Sequence, residues 1–275
     1  MKQLFLIFLF FPLLISAQVN NLPFQPGEEL TFDIHYKYGL VMVKAGTANY
    51  KVVGSSYNNR KTYNTVVDFK TTSFFDKIYR MRDTLSSHIT NDLKPLYHIR
   101  YVNEGNYNFI EEMTLNKFSK EYSEFRVKRE LRHVLKFDTI LHSNTLGYDI
   151  LNIIQFIRSF DYSQLNTIPA GGISTFVGKN KIAITIRCEG QSIVEKSETL
   201  KYKTYRIALD FSDEVFKESK NAIEIWMSDD ENRIPVKIRA KLRIGMAEVH
   251  LTSWKNLKYP FSSEVKIPVR KNSNE

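Results

Sequence analysis

The stretch Ala222–Trp254 reads AIEIWMSDDENRIPVKIRAKLRIGMAEVHLTSW, and its alternation decides the fold. Ile234, Val236, Ile238, Ala240, Leu242 and Ile244 alternate with Pro235, Lys237, Arg239, Lys241 and Arg243, so a strand here has one apolar and one basic face. A single strand from Ile234 to Trp254 exceeds ordinary strand lengths. Gly245-Met246, with glycine first, can divide it as a two-residue type II′ hairpin. That register sets Ile244 opposite Ala247, Leu242 opposite Val249, Ala240 opposite Leu251 and Arg243 opposite Glu248. Upstream, pairing Met227 with Ile234 sets Ile225 opposite Val236 and Glu224 opposite Lys237, with residues 228–233 as the loop. The expectation is a three-stranded antiparallel meander. Ile223, Ile225, Met227, Val236, Ile238, Leu242, Ile244, Val249 and Leu251 form its buried face.

Outward from this meander, most of the chain keeps the same rhythm. Leu30, Phe32, Ile34 and Tyr36 alternate with polar residues; strands follow around Lys44–Val53, Tyr63–Thr71 and Tyr79–Ile89. Leu96–Val102 and Phe109–Leu115 flank the turn Asn103-Glu104-Gly105-Asn106. Residues 121–137 alternate but are heavily charged. Further strands are read at 173–177, 182–188, 191–194 and 202–211, with Glu189-Gly190 as a tight spacer. One segment departs. In Leu146–Phe160, the residues Leu146, Ile150, Ile153, Ile154 and Ile157 recur at three- and four-residue spacing, which predicts a helix over about 145–160, capped by Asn144 or Thr145. The fold class is therefore mainly β: an antiparallel curved sheet, as half-barrel, barrel or sandwich, with one central apolar helix.

Residues 1–17 have the form of a secretory signal: Lys2, an apolar core from Leu4 to Ile15, and small residues Ser16-Ala17 before a cleavage point. The expected product is one β-rich domain over 18–270 with a frayed polar tail at 271–275. No transmembrane segment is expected in the mature chain. Removal of Lys2 lowers the formal net charge from +9 to +8. For an exported protein, that charge suits anionic lipid, lipopolysaccharide or another envelope component better than nucleic acid. Cys188 is the single cysteine, which excludes an intrachain disulfide and a thiolate zinc site.

No spacing announces a catalytic or metal centre. His35, His88, His98, His133, His142 and His250 form no HxH, HxxxH or HExxH pair, and there is no GxSxG elbow. The Gly171–Lys179 run fails as a phosphate loop on spacing and on Asn180 in place of Ser or Thr. Asp229-Asp230-Glu231-Asn232 lacks EF-hand spacing and reads as turn chemistry. No metal and no cofactor is expected. The candidate anion contacts are Lys237, Arg239, Lys241 and Arg243, a line of cations roughly 20 Å long on one strand face. The candidate lid over a ligand is the helix stripe Leu146, Ile150, Ile153, Ile154 and Ile157.

Three stretches together carry a family resemblance. They are Pro26–Phe32 with Ala45-Gly46, then Ile225–Asp230 followed by Arg233–Val236, and Gly245 leading into Glu248–Leu251. With the leader, the chain resembles the DUF3108 group of Gram-negative envelope proteins. The resemblance implies an exported antiparallel β protein and brings no catalytic residues. The resulting expectation is a periplasmic binding or assembly protein in contact with an apolar, anionic molecule such as a lipid. The alternative is a hydrolase of envelope glycans or peptides with a scattered site; a transmembrane β-barrel fits less well, because 121–130 is charged on both faces.

Overall fold

Period-two patterning over most of the chain produces strands, and their exposed polar faces leave each one a single side to bury. The computed structural model of the protein describes residues 22–119, 122–162, 172–212 and 219–266. The expected leader and the tail at 271–275 lie outside these residues. The first eight strands are β1 (Glu29–Tyr38), β2 (Val41–Tyr57), β3 (Arg60–Thr71), β4 (Arg82–Ile89), β5 (Pro95–Glu104), β6 (Tyr107–Phe118), β7 (Ser123–Leu131) and β8 (Val134–Ser143). A short helix, α1 (Ser73–Asp76), sits between β3 and β4. Then come β9 (Leu146–Gly147), the helix α2 (Ile150–Arg158), β10 (Ile173–Val177), β11 (Asn180–Ser197), β12 (Leu200–Ser212), β13 (Ser219–Ser228), β14 (Pro235–Lys241), β15 (Met246–Lys255) and β16 (Glu264–Lys266).

All of these strands join one sheet. Its order runs from β8 back to β1, then β15, β14, β13, β12, β11, β10 and β9, with β16 added on β12. Two meanders thus meet where β1 pairs antiparallel with β15. Every pairing is antiparallel except β9 with β10. The sheet curls into a nearly closed barrel until β7 and β8 approach β9, β10 and β11. Side chains, not a backbone ladder, cross this seam. Ser143 Oγ lies 2.8 Å from Ser174 Oγ, Ser123 Oγ donates to the Thr145 carbonyl at 3.0 Å, and Phe125 meets Phe176 at 5.5 Å between centroids.

The opening meander exists, but its registers differ from expectation. Ile225 pairs with Ile238 and Glu224 with Arg239, while Met227 pairs with Pro235 across a bulge that leaves Val236 extra. The β14–β15 ladder pairs Ala240 with Ala247 and Arg239 with Glu248, so its loop is residues 242–245 rather than Gly245-Met246. Away from the bulge both shifts are even-numbered, so faces are preserved there while contacts change. Ile225, Met227, Val236 and Leu251 are buried as expected, and Ile223, Ile238 and Val249 pack at the core's margin. Leu242 and Ile244 are exposed, 47% and 64%, because the longer loop lifts them off the sheet. Gly245 does take a positive φ, +72°. The two-residue loop with a positive φ at its first position occurs elsewhere, at Gly39-Leu40.

Three smaller differences follow the same logic. β11 is one strand with an irregularity near Gly190, not two pieces. β4 starts at Arg82 rather than Tyr79, because the turn of α1, capped by Thr72, continues to Tyr79, whose N–H donates to the Phe75 carbonyl. The expected long helix is shorter: Leu146 and Gly147 form β9, and Asp149, not Asn144 or Thr145, caps α2.

Candidate functional site

α2 is the element the barrel is packed around. Ile153, Phe156 and Ile157 are buried in the main apolar core, and Leu151 is buried as well. Of the expected stripe, Ile153 and Ile157 are buried, Leu146 and Ile154 are half-buried, and Ile150 is exposed. The unexpected feature is polar. Asn152, Gln155 and Arg158, at three-residue spacing, are all 0% exposed. They form an internal spine that stitches the helix to the sheet.

The spine begins at the cap. Asp149 accepts hydrogen bonds from the backbone N–H groups of Leu151 and Asn152, both at 3.0 Å, and from Asn152 Nδ2 at 2.7 Å. Buried His98 brings Nδ1 to 3.5 Å from the same carboxylate. Burial holds His98 below the ordinary imidazole range, against the pull of Asp149. Next, Gln155 Nε2 donates to the Tyr50 hydroxyl on β2 at 2.5 Å and to Thr65 Oγ1 on β3 at 3.0 Å. Burial pushes the Tyr50 phenol up to about 12.

At the end of the helix, Arg158 donates to both Glu28 oxygens, at 2.6 and 2.9 Å, and to the carbonyl of Asn232 at 2.9 and 3.2 Å. It also donates to the Pro23 carbonyl at 3.3 Å and lies 5.4 Å from the Phe24 ring centre. Burial opposes its charge, but Glu28 outweighs burial and holds the guanidinium above its usual value. Asn232 in turn donates to the carbonyls of Tyr259 and Pro260 and accepts from the Tyr259 N–H. The acidic loop is ordered as a turn: Asp230 Oδ1 accepts from Ser228 Oγ and from the N–H groups of Asn232 and Arg233. Two stretches that carry the family resemblance, one holding Glu28 and the other flanking Asn232, therefore converge on one arginine. Sequence spacing offered one clue. Residues 150–157 are apolar on every side of a helical wheel except at Asn152 and Gln155, and such a helix has no solvent face to give them.

The basic row proves to be divided. Lys237 Nζ sits 3.0 Å from Glu248, and Arg239 reaches Glu224 at 3.4 Å and Glu248 at 3.3 Å. Arg206 on β12 also binds Glu224 and, at 3.0 Å, Glu189. These three cations surround Trp226 at 5.3–5.7 Å from its ring centres. Glu224 and Glu248 are both buried in this network. Burial alone would raise the Glu248 carboxyl, but Lys237 and Arg239 hold it below the usual range. His250, 3.2 Å from Glu248, is lowered by burial and by Lys237. Lys237 and Arg239 are thus neutralised within the sheet. Lys241 donates to the Lys220 carbonyl at 2.7 Å and stays exposed, and Arg243 is exposed in the hairpin loop, off the strand.

Among the described residues no group of three or more His, Cys, Asp or Glu is placed to hold a metal ion. Clefts at the surface are open. One of about 200 Å³ lies beside Tyr205, Asp229 and Arg233, and another of about 380 Å³ lies beside Gln191, Lys203 and Thr204. No helix among the described residues is long and apolar enough to cross a membrane.

No curated protein matches the chain. Among solved structures it is similar to a β-barrel-like protein of domain of unknown function DUF1849 from Brucella abortus. The TM-score is 0.54 and the identity 12%, covering 84% of this chain and 98% of that one. At that identity the likeness concerns the fold alone. The sequence model described as "Protein of unknown function (DUF3108)" matches residues 31–252, most of the strands and the whole of α2. The chain belongs to the DUF3108 family.

Proposed function

We propose that the protein is an exported, periplasmic binding or assembly factor that works at its outer surface, in contact with an apolar, anionic envelope component, and not by enclosing a ligand. The observation that carries this reading is the polar stitching of α2. A lid must leave and return. This helix holds hydrogen bonds to β2, β3, the Glu28 turn and the Asn232 turn, with Asn152, Gln155 and Arg158 wholly buried. Separating it would break all of these bonds and expose Ile153, Phe156 and Ile157 together with the core beneath them, a cost of several kcal/mol. The leader-like segment at 1–17 and the net charge of +8 that its removal leaves support an envelope setting.

A hydrolase needs ionisable groups that meet a substrate. The most convergent pair, Arg158 and Glu28, meets only protein. A tagged full-length chain, expressed with its own first 17 residues in a Gram-negative host, tests the reading. The expected result is an envelope fraction with an N-terminus at Gln18, and native mass spectra of the bare polypeptide mass after a high-salt wash. Cytosolic protein that retains Met1 would refute it. So would a lipid held one-to-one through the wash, or turnover of a glycan or peptide.

A further inference from the structure

In an antiparallel meander successive connections alternate between the two ends of the sheet. The connections β1–β2, β3–β4, β5–β6, β7–β8, β10–β11 and β14–β15 all fall at one end. The large apolar side chains that the described residues expose are concentrated there. All but Val53, Ile140, Ile150 and Ile193 lie in those connections or within four residues of them. So uneven a distribution is not the scatter expected of an ordinary surface.

Two of the connections touch. β1 pairs with β15 up to Lys37–Met246, Tyr36 Oη donates to the Ile244 carbonyl at 3.2 Å, and Gly245 packs against the Lys37 carbonyl. Beyond that pair, Tyr38 and the Gly39-Leu40 turn project by about 7 Å. The lobe so formed presents Tyr38, Leu40, Val41, Met42, Leu242 and Ile244, all exposed, Leu40 completely so. Its two segments, Lys37–Lys44 and Lys241–Met246, contain Lys37, Lys44, Lys241 and Arg243 and no acidic residue. Lys44 is paired with Asp33 at 2.6 Å; among the described residues, no carboxylate is bound to any of the other three cations. The free end of the expected basic row is therefore at this lobe, beside its apolar tips.

Apolar tips ringed by cations are the chemistry of an interfacial membrane contact: the side chains enter the headgroup–acyl boundary by 5–10 Å while the cations meet lipid phosphates. We propose that the paired β1–β2 and β14–β15 tips dock on an anionic phospholipid bilayer. This rests on the surface-binding reading above and names its partner. A second copy is the poorer occupant, because a self-complementary contact would set the same unneutralised cations against each other.

Flotation with phosphatidylcholine vesicles, with and without phosphatidylglycerol, tests the lobe. The unaltered chain without residues 1–17 is expected to float with the anionic vesicles and to be released by 1 M salt. Lys241→Glu with Arg243→Glu is expected to weaken binding by at least about 25-fold, roughly fivefold per cation. Leu40→Ser with Ile244→Ser is expected to weaken it at least tenfold. The control Ile193→Ser, at the far end of the barrel, is expected to bind as the parent does. Matching circular dichroism melts exclude unfolding of the exposed-site variants. Equal binding by the parent and both tip variants would overturn the lobe and leave the surface-binding reading standing. A parent that binds no vesicle would overturn it too, as would a concentration-dependent dimer abolished by Leu40→Ser with Ile244→Ser. Absence of the protein from the envelope fraction would instead refute the underlying reading.

Discussion

Arg158 and Glu28 stand 130 residues apart in the chain and share two hydrogen bonds, 2.6 and 2.9 Å, with neither side chain reaching solvent. One pair thus pins the end of α2 to the turn that opens β1. Removing one partner leaves the other charged and buried. Arg158→Ala is expected to destabilise the protein by about 3–5 kcal/mol. The double variant Glu28→Leu with Arg158→Met is expected to recover much of that loss. Urea unfolding measures both, and a double variant as unstable as the single would show that the ion pair itself is not the source.

Gly245 and Gly39 both have positive φ, +72° and +57°, but their surroundings differ. A Cβ at Gly245 would come within 2.5 Å of the Lys37 carbonyl, whereas one at Gly39 would meet nothing within 4 Å. Gly245→Ala is therefore expected to cost more than Gly39→Ala, whose penalty is the backbone term alone, about 1–2 kcal/mol. Thermal melts of the two variants side by side check the order.

Burial separates residues that the alternation alone treats as equals. Ile225 is fully buried and Leu242 is half exposed in a hairpin loop. Ile225→Ala is expected to cost about 2–5 kcal/mol, and Leu242→Ala to stay within about 0.5 kcal/mol. A large loss at Leu242 would restore the two-residue hairpin.

Acid should weaken the fold through its buried histidines. His98 faces Asp149, Arg100 and Glu111, and burial lowers its pKa; His250 and His88 are lowered as well. An unfolded histidine titrates near 6.5, so below that pH the unfolded chain binds more protons than the native one. Stability is expected to be flat above about pH 7 and to fall as pH drops through 6.5 toward the lower native values. His98→Gln is expected to flatten that slope. An unchanged slope would assign the effect to the other two.

The sheet was legible in the sequence because side-chain direction has period two, and that period survives any even shift. The same property hid the registers. Moving Ile225 from opposite Val236 to opposite Ile238 changes no face, and neither a bulge at Val236 nor a four-residue loop leaves a compositional mark. The helix was legible as an element but not in its orientation. The helix pattern gives Asn152, Gln155 and Arg158 no solvent face, but their partners Tyr50, Thr65, Glu28 and Asn232 come from distant parts of the chain and only the structure supplies them. The basic row was correctly placed on one face at Lys237 and Arg239. Glu224 and Glu248 lie opposite the row in either register, but the true one sets both on Arg239 and Glu248 on Lys237, which leaves Arg243 without its expected partner.

The ladder between β1 and β15 joins residues 29–37 to residues 246–255. A chain emerging from its N-terminus can complete the β1–β8 meander from local hairpins, but one edge of β1 stays bare until almost the last strand has been made. Contacts of such long sequence separation slow folding, and an unpaired strand edge invites pairing with other chains. The vulnerable interval in the life of this protein is accordingly its synthesis. A refolding reaction started from the complete chain bypasses that interval, so its yield should exceed that of a polypeptide truncated before Met246.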